Sequence, residues 1–289
     1  MKTFRLKFQR ICYRQTEYCS RSLHLTRRST GSLTLPVNSA FGIQKVIIMR
    51  NIDRQKMKRD LFVAQLNSYL SFRFEELREY FNSVQHLFKS EEKRISHWMH
   101  TQTATLSPEE KDQFYEWYGE NHSKFKESFP DIQRNSIFIT IYAELEDVLK
   151  FICGALASKK GSFIQACQWR GGILERVKAC LEKDIGIVFS PRVSLWDEVV
   201  KIRAIRNTIV HNGSWLDGKK VTDDKKNPDI EIIDYISNRK QSLMLLKSNN
   251  TDDFYKIQLT DSFVSEVLDT FDQLLKELLT LISEWVEKT

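Results

Sequence analysis

The chain has 289 residues, of which 41% are hydrophobic and 28% are charged, a composition typical of globular domains that bury a sizeable core. It has no apolar run of about 18 or more residues, so the sequence predicts no membrane-spanning helix. The five cysteines are odd in number and lack Cys-x-x-Cys spacing, which argues against a disulfide framework and a zinc site. We therefore expect a cytoplasmic protein.

The first 50 residues differ in charge from the rest of the chain. They carry ten basic side chains and one acidic side chain, Glu17, for a net charge of +9. Since the whole chain carries +6, residues 51–289 sum to −3, and the basic character belongs to the N-terminal segment. A mitochondrial transit peptide, a basic arm that touches nucleic acid, and sequence upstream of a true start at Met49 are all open interpretations. We favour the third, because no helical or strand period persists through the segment, and we expect residues 1–48 to be disordered and dispensable for folding.

A helical region is predicted over residues 49–130. Apolar residues recur at three- and four-residue steps from Arg54 to about Met99. Ser107 is followed by a proline and then by Glu110, which predicts a helix start with a capping box. His97 and His100 lie three residues apart, but no further ligand is evident nearby, so we expect no metal site there.

A second helical domain is predicted over residues 131–289. Its most apolar helix spans 137–156, and a final amphipathic helix is capped by Asp261. Residues 217–229 are charged and rich in breakers, which predicts a surface loop. Three short strand-like pieces follow that loop, at 230–236, 242–246 and 255–259. The sequence thus predicts an all-α bundle with a small β-hairpin inserted before the last helix.

The stretch Ser194–Gly213, SLWDEVVKIRAIRNTIVHNG, is the most informative part of the chain. Ser194 is a suitable helix cap, and Gly213 is suited to a left-handed exit. At about 100° per residue, the apolar residues form one broad arc, and Arg206 falls near its centre. The residues of this arc are Leu195, Val199, Ile202, Ile205, Ile209 and Val210. Asn207 and His211, four residues apart, lie together along one edge of that arc. An arginine in the middle of an apolar stripe is the anomaly of this sequence.

Two interpretations of Arg206 stay open. An unpaired buried charge is too costly, so Arg206 can be an ordinary buried residue that pairs with a carboxylate from a neighbouring helix. Alternatively, Arg206, Asn207 and His211 line a cleft that is open to an anionic ligand. A guanidinium, an amide and an imidazole that converge on one point suit phosphodiester chemistry.

The stretch Arg206-Asn207-Thr208-Ile209-Val210-His211 resembles the Arg-x-x-x-x-His motif of the HEPN superfamily. The resemblance extends more weakly to residues 136–156, which look like the first long HEPN helix, and to the closing helix, so it covers roughly residues 136–285. HEPN first helices are similar in carrying an acid near the position of Glu146. The resemblance therefore makes Glu146 the expected partner of Arg206. Toxins of one HEPN branch have a tyrosine at the second position after the histidine, and here that residue is Gly213.

What the resemblance implies is a HEPN-like helical bundle with metal-independent endoribonuclease activity and no cofactor. The catalytic residues would be Arg206, Asn207 and His211, in a cleft shared by the two copies of a homodimer. The expected partners are an RNA substrate and an antitoxin or other regulatory protein, in phage defence or a toxin–antitoxin pair. Two other functions stay open: a catalytically inactive HEPN-like module that binds a protein partner, and a basic-arm nucleic-acid-binding protein without catalysis.

Overall fold

The computed structural model describes residues 40–160, 171–189, 193–218, 228–239, 242–248 and 254–288. Helices make up 82% of these residues, and the remainder includes one small antiparallel sheet. A mostly helical fold with a minor β component is therefore confirmed. No helix in the described part of the chain has the length and apolar character needed to cross a bilayer.

The α-helices are α1 (Ala40–Thr103), α2 (Pro108–Ser123), α3 (Phe129–Lys160), α4 (Ile173–Ala179), α5 (Trp196–Asn212), α6 (Pro228–Ser237) and α7 (Asp261–Lys288). The strands are β1 (Trp215–Asp217), β2 (Leu243–Lys247) and β3 (Phe254–Leu259). Two π-helical turns, Lys124–Ser128 and Cys180–Ile185, follow α2 and α4 directly.

The chain divides into two compact units, Met1–Arg54 and Gln55–Thr289. The predicted leader, residues 1–48, lies outside the described residues except for 40–48, where the backbone is already helical. The expectations that residues 1–48 are disordered and dispensable for folding stay predictions. The predicted domain boundary near residue 130 stays a prediction, and the backbone keeps helical geometry from Pro108 to Lys160.

Local capping signals set the start of α2 as predicted. The Ser107 hydroxyl accepts a hydrogen bond from the Glu110 backbone N–H, and the Glu110 carboxylate accepts one from the Ser107 backbone N–H. At α7 the cap differs from the prediction. The Thr260 hydroxyl, one residue before Asp261, accepts from the backbone N–H of Phe263. Asp261 instead pairs with Arg134 at 3.1 Å and with Lys89 at 3.4 Å.

The segment 230–236, predicted as a strand, is part of helix α6. Its β-branched residues favour a strand by propensity, but Ile232 and Ile236 are both buried and lie four residues apart, which is the period of a helix face. Burial against the bundle outweighs a propensity of less than about 1 kcal/mol per residue. The other two predicted strands, β2 and β3, are confirmed. Most of the predicted loop over 217–229 lies outside the described residues.

The sheet has three strands in the order β1-β3-β2, and both pairings are antiparallel. Strand β1 was not predicted, since three residues are too few to show a period-two pattern. It follows α5 after only two residues and pairs with β3, with Trp215 opposite Lys256. The sheet is therefore joined directly to the end of α5.

The core lies where α1, α3 and α7 meet. Phe271 of α7 contacts Phe74 of α1 and Tyr142 of α3, with ring centroids 6.3 and 6.2 Å apart. Glu144 of α3 accepts two hydrogen bonds from Arg73 of α1, at 2.7 and 2.6 Å, a bidentate geometry that fixes the relative register of the two helices. Helix α7 provides the longest apolar face, and α5 packs against both α3 and α7.

Candidate functional site

Helix α5 buries one side and exposes the other. Its buried residues are Trp196, Val199, Ile202, Ile205, Thr208 and Ile209. Val210, placed on the apolar arc by the sequence, is 43% exposed, while Trp196 and Thr208, which were left out of that arc, are buried. By helical position Arg206 lies between Val199 and Ile202, which are both buried, while its own side chain is partly open to solvent. The structure therefore differs from the predicted arc at the edges of the arc and not at Arg206.

The two ends of α5 are held differently. Gly213 follows the last turn with φ 60°, and its N–H donates to the carbonyl of Thr208, so the predicted left-handed exit is confirmed. The predicted cap at Ser194 is wrong. The Ser194 N–H and hydroxyl both donate to the Glu277 carboxylate of α7, at 3.1 and 3.0 Å. The entry to α5 is thus held by α7 through a tertiary contact.

Ion pairs fix α5 to its neighbours along its length. Glu198, in the first turn, accepts from the Tyr235 hydroxyl of α6 and lies 2.5 Å from Arg239. Arg203 lies 2.5 Å from Glu175 of α4. Partial burial raises the pKa of Glu175, but the hydrogen bond and the charge of Arg203, together with hydrogen bonds from the backbone at Glu175 and Gly172, hold that pKa below its ordinary value. Arg203 is therefore a neutralised, structural arginine.

Arg206, one turn after Arg203, is held differently. Its guanidinium lies over the ring of Tyr142 of α3, with Cζ 5.6 Å from the ring centroid, a cation–π geometry. Nη1 donates to the Asn207 side-chain oxygen at 3.1 Å, while Nε is buried without a hydrogen-bond partner. Among the described residues, Arg206 thus has a neutral hydrogen bond and a π face in place of a carboxylate.

The predicted ion pair between Glu146 and Arg206 is not formed. The two side chains are close enough to interact electrostatically, but burial raises the pKa of Glu146 above its ordinary value, against the opposing effects of Lys150 and Arg206. The alternative acid on α3, Glu144, pairs with Arg73. Arg206 therefore forms no ion pair with Glu144 or with Glu146.

The remaining motif residues lie on the open side of α5. Asn207 and His211 are exposed, and His211 is in the last turn, at the negative end of the helix dipole. The structure thus brings Arg206 and Asn207 into direct contact, with His211 one turn further along the same exposed edge. Sequence reasoning missed Tyr142 and the Arg203–Glu175 pair, because the helical period shows which side a residue faces and not what covers it.

The chain matches no family model, no curated protein and no solved structure. The interpretation of the site therefore depends on its own geometry and on the resemblance of its motif.

Replacing Tyr142 by phenylalanine is expected to stabilise the protein. The Tyr142 side chain is fully buried, its hydroxyl has no hydrogen-bond partner among the described residues, and burial raises its pKa. Since an unsatisfied buried hydroxyl costs about 1–3 kcal/mol, Tyr142→Phe should raise the free energy of unfolding by about 1 kcal/mol, measured by urea denaturation. The matched variant Tyr142→Leu removes the ring below Arg206 and should destabilise. A less stable Tyr142→Phe would show that the hydroxyl has a partner.

Replacing Glu146 by glutamine is expected to change how stability depends on pH. Because the folded state raises the pKa of this carboxyl group, the folded protein holds its proton more tightly than the unfolded chain does. Stability is then lost as the pH rises from the ordinary carboxyl pKa through the raised one. At a pH below the ordinary carboxyl pKa, Glu146→Gln should be as stable as the wild type. Near neutral pH it should be the more stable protein. Melting temperatures between pH 3 and pH 8 test this, with Glu79→Gln, which changes an exposed carboxylate of α1, as the control. A less stable Glu146→Gln at neutral pH would restore the ion-pair interpretation.

Proposed function

We propose that the chain is a HEPN-type, metal-independent endoribonuclease that acts as a homodimer. The observation that carries the proposal is the state of Arg206, a half-buried guanidinium without a carboxylate partner among the described residues, next to Asn207 and one turn from His211. A partly desolvated, weakly compensated positive charge is an anion-binding feature, since the anion supplies the missing negative charge. The contrast with Arg203, which Glu175 neutralises on the same helix, supports a distinct role for Arg206.

The chemistry follows from the residue types. One imidazole removes the proton of a ribose 2′-hydroxyl, whose oxygen attacks the adjacent phosphorus. The Arg206 guanidinium stabilises the additional negative charge of the pentavalent phosphorus, and Asn207 keeps that guanidinium in position through the hydrogen bond to its side-chain oxygen. A second imidazole gives a proton to the 5′-oxygen as the phosphorus–oxygen bond breaks. The products are a 2′,3′-cyclic phosphate and a 5′-hydroxyl.

The proposed homodimer follows from the two proton transfers of this reaction. One chain supplies a single motif histidine, and the reaction uses a base and an acid, so two copies of His211 facing one cleft complete the set. The exposed edge of α5, with Val210 between Arg206 and His211, suits such an interface because it presents apolar area beside the motif. An activity of this kind is restrained in a cell, and we propose an antitoxin or other regulatory protein as a further partner, in phage defence or a toxin–antitoxin pair.

The central test is cleavage of single-stranded RNA in the presence of EDTA. We expect the wild-type protein to cut, and a 2′-deoxy substitution at the cut site to block the reaction because the attacking hydroxyl is gone. His211→Ala and Arg206→Ala should each lower the rate by about 100- to 10,000-fold. His97→Ala, which removes an exposed histidine of α1, is the matched control and should cut like the wild type.

Cleavage that stops in EDTA and returns with magnesium, or that proceeds on the deoxy substrate, would defeat this mechanism. A folded, dimeric wild-type protein that cuts no RNA would favour the catalytically inactive interaction module.

The dimer is tested by light scattering at micromolar concentration, where we expect a mass of twice the chain. Val210→Glu places a charge in the proposed interface and should shift the protein toward monomer while lowering the rate of cleavage. Val188→Glu changes a valine that is 69% exposed and should leave both the mass and the rate as in the wild type. A monomeric wild type with full activity would exclude the shared cleft.

A further inference from the structure

An exposed indole lies directly beside the motif end of α5. Gly213 and Ser214 both have positive φ, 60° and 74°, which turns the chain sharply into β1. A left-handed conformation is uncommon for a residue other than glycine, and Ser214 is held in it by burial and two backbone hydrogen bonds. Its N–H donates to Thr208, and its carbonyl accepts from Ile257. The turn therefore fixes the position of the next residue, Trp215.

Trp215 lies against the C-terminal turn of α5. A Cβ atom built on Gly213 would be 4.0 Å from Cδ1 of the Trp215 indole. Trp215 is nevertheless 42% exposed, so one part of the ring packs on the turn and another part is open. Trp215 is two residues after Gly213, which ends the helix that carries His211. The exposed part of the indole is therefore close in the chain to the motif.

A lysine lies next to this indole on the same face of the sheet. Trp215 is directly opposite Lys256 in the β1–β3 pairing, and Lys256 is opposite Leu246 in the β2–β3 pairing. Directly opposed residues of antiparallel strands share a face, with Cβ atoms about 4.5–5.5 Å apart. All three side chains are exposed, while their neighbours Leu216 and Ile257 are buried on the other face. The outer face of the sheet thus presents an indole, an ammonium group and an apolar side chain in one row.

The surface beyond Lys256 is concave. Lys256 and Leu246 line a groove of about 310 Å³ between the sheet and the start of α3. Its acidic residue, Asp131, already binds Arg134 and Gln258, so its charge is compensated inside the groove. A negatively charged chain that continues from Lys256 into this groove therefore meets a carboxylate that already has a cationic partner.

We propose that Trp215 and Lys256 form a nucleotide subsite for single-stranded RNA next to the cleaved bond. The indole stacks on a base, and the Lys256 ammonium binds the phosphate of the same strand. The proposal rests on the ribonuclease function proposed above and extends it from the reacting phosphate to the flanking nucleotide. Stacking on an aromatic ring accepts every base, so the subsite supplies affinity and register and does not select a sequence.

The test separates binding from cleavage by using a fluorescein-labelled single-stranded deoxyoligonucleotide of about ten nucleotides, a length within the range such sites cover. It is not cleaved by a 2′-hydroxyl mechanism, so fluorescence anisotropy reports affinity alone. Trp215→Ala should weaken binding at least about fivefold, and Trp215→Phe, which keeps a stacking ring, should retain most of the affinity. Lys256→Gln should weaken binding and reduce its salt dependence.

The matched control is Trp117→Ala, because Trp117 is 72% exposed on α2. It should bind like the wild type. On RNA, Trp215→Ala should raise KM by a larger factor than it lowers kcat, whereas loss of His211 acts on kcat. Melting temperature and light scattering of each variant show that it is folded and in which oligomeric state.

Three results would overturn the subsite. One is wild-type affinity in both Trp215→Ala and Lys256→Gln with RNA cleavage intact, which leaves the ribonuclease proposal standing. Another is a Trp215→Ala variant that is monomeric and binds the oligonucleotide with unchanged affinity, which assigns the indole to an interface between copies. The last is a wild-type protein that binds no oligonucleotide. Binding that depends on Trp215, in a wild-type protein that cuts no RNA, would support the subsite and defeat the ribonuclease proposal.

Discussion

The burial of one side of α5 is the constraint on which the rest of the site depends. Ile202 and Ile205 are almost completely buried, and removing each such side chain from water stabilises the fold by about 1.5–3 kcal/mol. A rotation of the helix by one position would expose this side and bury Asn207 and His211. Because that exchange costs several kcal/mol, the core fixes which edge of α5 faces solvent, and it does so without any contact from the polar residues themselves.

Charge compensation is distributed unevenly around this helix. Glu198 pairs with Arg239, which follows α6, and Arg203 pairs with Glu175 of α4, so these two charges are compensated. Arg206 is supported by the Tyr142 ring and the Asn207 side chain, neither of which carries a formal charge. Burial raises the pKa of Glu146, the acid that the sequence predicts as the partner of Arg206. This pattern leaves the partly buried Arg206 guanidinium without a carboxylate partner among the described residues, and it is the reason that we propose phosphate chemistry for the edge.

The short sheet places an aromatic and a basic side chain, Trp215 and Lys256, beside the end of α5. Two consecutive left-handed residues join the helix to β1, so the motif and the outer face of the sheet are held together by backbone geometry. The contact does not depend on a flexible loop. In our proposal, an RNA strand that passes His211 meets Trp215 and Lys256 on a fixed surface, where the indole and the ammonium group contribute to binding.

The sequence by itself determined the features that depend on local chemistry. These are the capping box at Ser107, the left-handed exit at Gly213, and the common edge of Asn207 and His211 that follows from helical spacing. The tertiary structure decided the environment of each residue: α6 is a helix where propensity favours a strand, Ser194 binds Glu277, and Arg206 meets Tyr142 in place of Glu146. Hydrogen bonds between near neighbours are encoded within a few residues. The side chain that covers Arg206 comes from α3, far away in sequence, and is set only when the whole core packs.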